Sequence, residues 1–419
     1  MTEWGFVPLI DACEIFTDGD WIETKDQSPE GIRLVQTGNV GNGIFKDRRD
    51  KARFISDDTF ERLNCQEVYE GDCLVSRLPD PVGRSCIIPH SSDRMITAVD
   101  CTILRFKPDV MIPEFFNYYS QSKKYLSDVE AYCTGATRKR ISRKNLGKIE
   151  LPKRSIEEQK RIVAILDEAF AGIDTAIANT EKNLANAREL FESYLQKIFN
   201  QHDEGWEVKP LESFSTIVNG YAFKSGDFSP QNEVKSIKIT NVGVYEFVQE
   251  SDNCLPKAYL EKYSQYKAYE GDVVVALTRT IISSGLKVAV VPANYDGALI
   301  NQRVAAVHVN EEVMPKQVLQ AFLSTKTAID YVRSNVNELM QPNLSIKDLK
   351  AFPIPVPPAN KRTYVTSQIA EIREQKDRLI SLYSSKLDAL NELKQSLLQK
   401  AFSGELTATD EIPREEAVA

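Results

Sequence analysis

The feature that most constrains the fold is an internal repeat, because the second half of the chain restates landmarks of the first half in the same order. "YEGDCLVS" from Tyr69 matches "YEGDVVVA" from Tyr269, and "WGFVPL" from Trp4 matches "WEVKPL" from Trp206. "GNVG" is answered by "TNVG", "NLGKIELP" by "DLKAFPIP", and "SYLQKIF" by "SLLQKAF". Since matched segments lie about 202 residues apart, the sequence predicts two copies of one unit of about 200 residues.

Each copy has the same internal order of elements. Strand-like segments such as "GIRLVQTG", "DCLVSRL" and "TAVDCTILRF" alternate with shorter helical patterns, and Pro113 and Pro315 begin matched helix-like stretches. About 45 helical residues then close each copy. The predicted fold class is therefore α+β, with two similar globular domains and two long helices. The predicted boundaries are 1–150 for the first globular domain, 151–203 for the central helical segment, 204–355 for the second globular domain, 356–406 for the C-terminal helical segment and 407–419 for a flexible tail.

The long helical segments carry an apolar seam with the spacing of a coiled coil. Ser155 and Glu158 have the spacing of a capping box at the start of the first helix. Its seam comprises Leu166, Phe170, Ile173, Ile177, Thr180, Leu184, Ala187, Phe191, Tyr194 and Ile198. The second seam comprises Ile369, Ile380, Tyr383, Leu387, Leu390, Leu397 and Ala401, and is interrupted by Arg373, Lys376 and Lys394. We expect the seams to bury each other as an antiparallel coiled coil; the alternative is that each helix packs separately on its own domain.

Composition indicates an ordinary globular protein, with 42% hydrophobic and 27% charged residues. The chain has no run of 18 apolar residues, and its N-terminal stretch is acidic and interrupted by polar residues. These features predict neither a membrane span nor a signal peptide. The seven cysteines form no C-x-x-C pair and are odd in number, which favours reduced thiols. We therefore expect a cytoplasmic protein.

The net charge of −8 counts against nucleic-acid binding, because a DNA-binding domain usually carries an excess of basic residues. The charge is unevenly distributed, however. Between Arg138 and Arg161 ten residues are Lys or Arg and three are acidic. Such a run is more often a solvated surface than a binding site, so it becomes informative only together with other features.

No catalytic motif was found in the sequence. It has no G-x-x-x-x-G-K-S/T phosphate loop, no H-E-x-x-H metal helix and no adenine methyltransferase signature, and its histidines (His90, His202 and His308) are scattered. "GNVGNG" lacks the strand-to-helix context of a dinucleotide site and predicts a turn. "PDPVG" and "EQK" are too common to indicate a nuclease. We predict no catalytic residue, no metal site and no enzyme activity in this chain.

The order of these motifs resembles the specificity subunit of type I restriction-modification enzymes. The resemblance rests on "LPKRSIEEQKRIVAILDE", the two YEGD segments, "LINQRV", "PIPVPP" and "SLLQKAFSGEL", and it covers almost the whole chain. It implies that each globular domain reads one half of an asymmetric, bipartite site in double-stranded DNA. It also implies that the paired helices set the gap between the halves and dock two methyltransferase subunits, with two motor-nuclease subunits joining for cleavage. S-adenosylmethionine would bind the methyltransferase, leaving this chain without a cofactor.

The second copy departs from the first at the start of the helix, where "VPPANKRTYV" replaces "EEQKRIV". This departure puts in doubt whether the two docking faces implied by the resemblance are equivalent. A competing interpretation is a duplicated coiled-coil adaptor that holds two protein partners without binding DNA, and the acidic pI of 5.3 favours it. The basic run in the first copy favours the DNA-binding interpretation.

Candidate DNA-contacting residues are polar side chains on the loops of each globular domain, since base-edge and phosphate contacts require exposed hydrogen-bonding groups. In the first domain they are Thr37, Asn39, Arg77, Arg84, Arg138, Lys139, Arg140, Arg143 and Lys144. In the second they are Asn241, Thr278, Arg279, Thr280, Lys287, Gln302, Arg303, Gln341 and Asn343. The repeat aligns the basic triplet 138–140 with Gln-Pro-Asn at 341–343. Different chemistry on matched loops is expected of two domains that read different half-sites.

Overall fold

The computed structural model describes residues 5–135, 138–200, 205–282, 285–335 and 343–407. The chain forms two compact units, one made of Met1–Thr180 with Lys386–Ala419 and the other of Glu181–Ser385. Each unit therefore contains one globular domain and part of each long helix. The domain boundaries proposed from the sequence stay a prediction, and most of the predicted tail lies outside the described residues.

The first unit contains ten strands and four short helices before its long helix, among the residues described. The strands are β1 (Gly5–Pro8), β2 (Cys13–Asp18), β3 (Ile32–Val35), β4 (Arg53–Ile55), β5 (Glu67–Val68), β6 (Cys73–Ser76), β7 (Ser85–Ile87), β8 (Met95–Thr97), β9 (Cys101–Phe106) and β10 (Glu150–Lys153). The helices are α1 (Asp57–Leu63), α2 (Pro113–Tyr119), α3 (Lys123–Ala131), α4 (Arg143–Leu146) and the long α5 (Ile156–Asn200), which continues into the second unit.

The second unit repeats this order. Its strands are β11 (Glu207–Pro210), β12 (Ser215–Asn219), β13 (Val234–Ile237), β14 (Cys254–Leu255), β15 (Val273–Ala276), β16 (Ile281–Ile282), β17 (Gly285–Leu286), β18 (Val288–Val290), β19 (Leu299–Ile300), β20 (Val304–Val309) and β21 (Pro353–Val356). Its helices are α6 (Tyr259–Lys262), α7 (Lys316–Leu323), α8 (Lys326–Asn335), α9 (Ile346–Lys350) and the long α10 (Arg362–Ser403), which continues into the first unit.

The sheets confirm the repeat at the level of topology. A four-stranded antiparallel sheet has the order β2-β9-β6-β7 in the first domain and β12-β20-β15-β18 in the second. A second sheet places β3 parallel to β8, matched by β13 parallel to β19. A two-stranded pair closes each domain, β1 with β10 and β11 with β21. The α+β fold class predicted from the sequence is confirmed.

Strands β6 and β15 are almost entirely apolar because both faces of the main sheet are covered. In β6, Cys73 and Val75 belong to the core formed with α2, α3 and α5, whereas Leu74 packs towards β3 and β8. Successive side chains of a strand point to opposite faces, so a strand covered on both sides needs continuous apolar residues. In β15, Val273 and Val274 are divided between two cores in the same way.

The helix-like stretches that begin at Pro113 and near Pro315 are each divided into two helices, α2 with α3 and α7 with α8. The break has a local cause. Ser122 caps α3, since its hydroxyl accepts the Tyr125 amide at 3.2 Å, and Thr325 accepts the Ala328 amide at 3.3 Å. A hydroxyl that satisfies the first free amides of a helix fixes a new helix start.

The two long helices pack antiparallel, as the seam pattern predicts. In the first unit, Phe170 near the start of α5 shares a core with Leu398 near the end of α10. In the second unit, Phe191 near the end of α5 shares a core with Ile369 near the start of α10. Every predicted seam residue is buried or half-buried. No helix within the described residues combines the length and apolarity needed to cross a membrane.

The lysines that interrupt the second seam lie over aromatic rings of the first helix. In the first unit the Lys394 ammonium lies 4.9 Å from the Phe170 ring centre and pairs with Asp174. In the second unit the Lys376 ammonium lies 4.6 Å from the Phe191 ring centre. A cation over an aromatic face keeps its charge near water while its methylene groups cover apolar surface. The interruptions are thus compatible with a closed seam.

The junction between each globular domain and its long helix is fixed by one matched position. Buried Gln159 in α5 accepts the Ile112 amide at 2.9 Å and donates to the Val110 carbonyl at 2.8 Å and the Arg154 carbonyl at 3.0 Å. The matched residue in α10, Arg362, donates to the Pro357 carbonyl at 3.2 Å and to the Glu312 carbonyl. Where the second copy departs from the first in sequence, a longer side chain makes the corresponding backbone contacts.

We expect Gln159→Ala to lower the free energy of unfolding of the first unit by about 2–4 kcal/mol, because it leaves a buried amide and carbonyl groups without partners. Chemical denaturation followed by circular dichroism measures this change. Lys160→Ala, on the exposed neighbouring position, is the control and should change the midpoint little. Equal losses in both variants would contradict the assigned role of Gln159.

Candidate nucleic-acid interface

The first element of the candidate interface is a loop that follows β3, residues 36–47, here called the first asparagine loop. Asn39 is buried in it; its side-chain oxygen accepts the Gln36 amide at 2.9 Å and its side-chain nitrogen donates to the Lys46 carbonyl at 2.9 Å. A bridge between Val40 and Phe45 closes the loop tip. The Asn39 amide group therefore holds together the two ends of the loop.

The second asparagine loop, residues 238–249, is built in the same way. Asn241 is fully buried, accepts the Lys238 amide at 2.8 Å and donates to the Val248 carbonyl at 2.8 Å. Both asparagines were predicted from the sequence as DNA-contacting residues. The structure places their side chains beneath the surface, where they fix the conformation of the loops that carry exposed neighbours.

A cationic side chain holds each asparagine loop from below, and it is buried in the first domain and half-buried in the second. The Arg84 guanidinium donates to the carbonyls of Thr37 at 2.9 Å, Val40 at 2.7 Å, Leu78 at 2.7 Å and Pro81 at 3.0 Å. Its neighbourhood is dry, since only 8% of the residue is exposed. Arg84 thus ties the first asparagine loop to the segment that follows β6, residues 77–84, here called the first strand-end loop.

In the second domain, Lys287 occupies the corresponding position. Its ammonium donates to the Ile239 carbonyl at 2.7 Å, and Ile239 is the repeat counterpart of Thr37. Burial, followed by the nearby Arg279 charge, lowers the pKa of Lys287. One lysine bond replaces four arginine bonds, so the same loop is supported less extensively in the second domain.

Arg77 connects the strand-end loop to the basic segment 138–144, here called the basic loop. Buried Arg77 forms an ion pair with Asp18 at 3.2 Å and donates to the carbonyls of Val99 at 2.5 Å and Ile141 at 3.4 Å. The Ile141 amide returns a bond to the Arg77 carbonyl at 3.3 Å. In the second domain, the Leu344 amide donates to the Leu277 carbonyl at 2.9 Å in the matched place.

The cationic side chains of the basic loop are exposed, whereas Ile141 within it is buried. Lys139 pairs with Glu130, Arg140 with Asp100 at 2.9 Å, and Arg143 lies 3.9 Å from Asp18. Arg138 and Lys144 make no ion pair within the described part of the chain. Exposed ion pairs contribute little to stability, so these cations can exchange their carboxylate partners for phosphates at small cost.

The remaining candidates of the second domain differ in exposure. Arg279, Gln302, Arg303 and Asn343 are exposed, Thr278 is half-buried and Thr280 is fully buried. Arg279 has a φ of 48°, a left-handed conformation that is uncommon for arginine and typical of tight turns. Thr278 and Asn343 form an isolated bridge, which joins the segment that follows β15 to the counterpart of the basic loop. Gln341 lies outside the described residues.

Sequence reasoning missed a second basic segment, "KDRRDKAR", at the end of the first asparagine loop. Its cations are exposed: Lys46, Arg48, Arg49, Lys51 and Arg53. Asp47 and Asp93 pair with Arg49 and with buried Arg33, which leaves Lys46, Arg48, Lys51 and Arg53 as cations without an ion pair among the described residues. The repeat could have revealed this segment, because it aligns the basic "KDRRDKAR" with the acidic "VQESDNCL" of the second copy. Such a change of charge between matched segments is the same signal that pointed to the basic triplet at 138–140.

These segments form one surface in the first domain. Arg84 joins the asparagine loop to the strand-end loop, and Arg77 joins the strand-end loop to the basic loop. An open cavity of about 690 Å³ lies between Pro79–Val82 and Lys139 and is also lined by α3. Buried residues thus position the loops, and exposed residues on the same loops are available to a ligand.

The comparisons with known proteins agree on one family. The model for the type I restriction modification DNA specificity domain matches residues 1–186 and again residues 203–392. The chain is 25% identical over 315 residues to the type I restriction enzyme MjaVIII specificity subunit of Methanocaldococcus jannaschii, covering 71% of each chain. It is 22% identical over 395 residues to the EcoKI specificity subunit of Escherichia coli strain K12, covering 90% of this chain and 83% of that one.

Solved structures support the fold. A chain from a structure described as the "structural basis underlying complex assembly and conformational transition of the type I R-M system" superposes with a TM-score of 0.76 at 16% identity, over 97% of this chain and 99% of that one. The HsdS subunit from Thermoanaerobacter tengcongensis gives a TM-score of 0.51 at 15% identity, over 97% and 98% of the two chains. Because the family model matches both copies of the repeat, the chain belongs to the type I restriction modification DNA specificity family.

Proposed function

We propose that this chain is the DNA sequence-specificity subunit of a type I restriction-modification complex, in which each globular domain reads one half of a bipartite, asymmetric site. The observation that carries the proposal is the pairing of matched loop frameworks with unmatched exposed chemistry. Asn39 and Asn241 hold equivalent loops through equivalent hydrogen bonds. By contrast, the repeat aligns the basic triplet at 138–140 with a neutral triplet at 341–343. A shared framework with different exposed groups suits two readers of different sequences.

The family match favours this function over the adaptor alternative, because both halves of the chain match a DNA specificity domain. The partners follow from the same assignment: double-stranded DNA, methyltransferase subunits and motor-nuclease subunits. We propose two methyltransferase subunits per chain, one for each copy of the repeat. The methyltransferase supplies both the catalytic residues and the S-adenosylmethionine site, so this chain contributes recognition and no chemical step.

For the DNA contacts, we propose that exposed residues bind and buried ones position. Nine exposed residues on or beside the recognition loops are proposed to touch DNA: Arg138, Lys139, Arg140, Arg143, Lys144, Arg279, Gln302, Arg303 and Asn343. Arg77, Arg84, Asn39, Asn241 and Lys287 act through the loops that they hold. The helices α5 and α10 are proposed to set the gap between half-sites, since a helix rises by a constant ~1.5 Å per residue.

The test is genome-wide mapping of methylated adenines after co-expression with the cognate methyltransferase, comparing the native chain with a variant carrying R138Q, K139Q and R140Q. The native complex should methylate one bipartite motif. The variant should lose or alter one half of the motif only, at about 1–3 kcal/mol for each base contact removed. A motif without two halves would contradict the proposed function, and equal effects on both halves, or none, would show that the basic loop does not read DNA.

A further inference from the structure

One pair of repeat-related positions places opposite charges against the same loop residue. In the first domain, an arginine nitrogen of Arg48 lies against Gly38, in the space that a Cβ atom at Gly38 would occupy. In the second domain the counterpart of Arg48 is Glu250, whose carboxylate accepts a hydrogen bond from the Thr240 hydroxyl at 2.8 Å. Thr240 is the counterpart of Gly38. The two domains thus place a cation and an anion at one site of a common framework.

The two charged groups differ in how firmly they are held. Glu250 is half-buried. Its backbone amide donates to the Tyr295 hydroxyl at 3.2 Å, and that hydroxyl donates to the backbone carbonyl of Glu250 at 3.0 Å. The Asn253 side chain donates to the Glu250 carboxylate. Arg48 is exposed and has neither an ion pair nor a hydrogen bond from its side chain within the described residues. The Glu250 carboxylate is therefore used in hydrogen bonds within its own loop, whereas the Arg48 guanidinium is available to a ligand.

We propose that Arg48 binds a DNA phosphate next to the half-site read by the first domain, and that the second domain makes no such contact because Glu250 stands in its place. This inference rests on the proposed function and adds an asymmetry to it. The first domain supplies more of the electrostatic affinity, while the second depends more on its base contacts. Gly38 is also required for this placement of Arg48, since any side chain at Gly38 would displace the Arg48 guanidinium.

A phosphate is the ligand that these surroundings favour. A residue that reads a base edge is normally held by packing and by supporting hydrogen bonds, whereas the exposed Arg48 side chain makes no hydrogen bond among the described residues. Lys46 and Lys51 lie on either side of it and are also exposed, so that the segment offers several cations along one stretch of chain. Such a stretch suits the regularly spaced charges of a DNA backbone.

The experiment measures the salt dependence of DNA binding by the chain assembled with its methyltransferase subunits, on a duplex that carries the mapped site. Arg48→Gln should reduce the slope of log K against log salt by about 0.9, the value for one phosphate contact, and weaken binding about fivefold near 0.15 M salt. Arg48→Lys should retain most of the slope, and the methylated motif should be unchanged in both variants. Arg62→Gln is the matched control, because Arg62 is exposed in the same domain but paired with Asp26 at 2.6 Å.

Three results would overturn the inference. An unchanged slope in Arg48→Gln would exclude a phosphate contact, and an equal reduction in Arg62→Gln would show an effect of net charge alone. A changed base preference in the first half of the motif would make Arg48 a base-reading residue. Failure of the proposed function is a separate outcome, since the native complex would then show no bipartite motif whatever the behaviour of Arg48.

Discussion

Arg84→Ala is expected to lower the free energy of unfolding of the first unit by about 3–5 kcal/mol and to abolish recognition of the first half-site. The physical reason is that four carbonyl groups bind this one guanidinium. Without it the Val40 carbonyl has no other hydrogen-bond donor among the described residues, and the Thr37 and Leu78 carbonyls keep only the Val40 amide at 3.3 Å and the Ser76 hydroxyl at 3.1 Å. The asparagine loop also loses its attachment to the strand-end loop. Hydrogen–deuterium exchange of peptides from β3 and β6 reports the stability of this unit, and methylation mapping reports the half-site.

Arg84→Lys separates positioning from charge. Lys287 shows that an ammonium group at this place bonds one loop carbonyl, that of Ile239, so the lysine variant should retain part of the stability and the native base preference. If Arg84→Ala instead leaves the hydrogen–deuterium exchange rates unchanged and removes only DNA affinity, the Arg84 side chain contacts DNA directly. The proposal that it positions the loops would then be wrong.

Insertion of one heptad into each long helix is expected to lengthen the unread gap by about three base pairs while both half-site sequences stay the same. Seven residues add about 10 Å to a helix and turn the seam by only about 20°, and DNA rises about 3.4 Å per base pair. The insertions belong after Thr180 in α5 and before Lys386 in α10, where the two units meet in sequence. Methylation mapping gives the new gap directly.

Both helices must receive the same insertion because they pack against each other in antiparallel orientation. Insertion into α5 alone would shift its half of the seam against α10 and should destabilise the chain, which makes the single insertion the control. An active double variant with an unchanged gap would refute the role of the helices as spacer. A changed half-site sequence would instead show that the insertion has altered the recognition loops.

Much of the fold was predictable because it depends on periodic patterns. The repeat, the strands around Leu74 and Val274 and the seam through Phe170 all follow from apolar spacing that burial enforces over many residues. The breaks between α2 and α3 and between α7 and α8 were not predicted. They depend on single hydroxyl caps at Ser122 and Thr325, and a cap in the middle of a helical pattern has too little sequence signal to outweigh the pattern.

The site was predictable by segment but not by role. Asparagine and arginine are the residue types expected both at DNA contacts and in loops pinned through backbone carbonyls, so sequence could not separate buried Arg84 from exposed Arg138. Which side chain turns inward depends on carbonyl groups supplied by distant strands. Arg48 was missed because Asp47 and Asp50 dilute the charge of its segment, and the pairing of Asp47 with Arg33 and Arg49 is visible only in three dimensions.

The lysines over Phe170 and Phe191 also restrict which helices can associate. If α10 paired with α10 of a second copy, Lys376 and Lys394 would meet like charges or bare aliphatic surface in place of aromatic rings. If α5 paired with another α5, its two phenylalanines would lose the cations that cover them. Association of two copies through like helices is therefore disfavoured, and these contacts select α5 as the partner of α10.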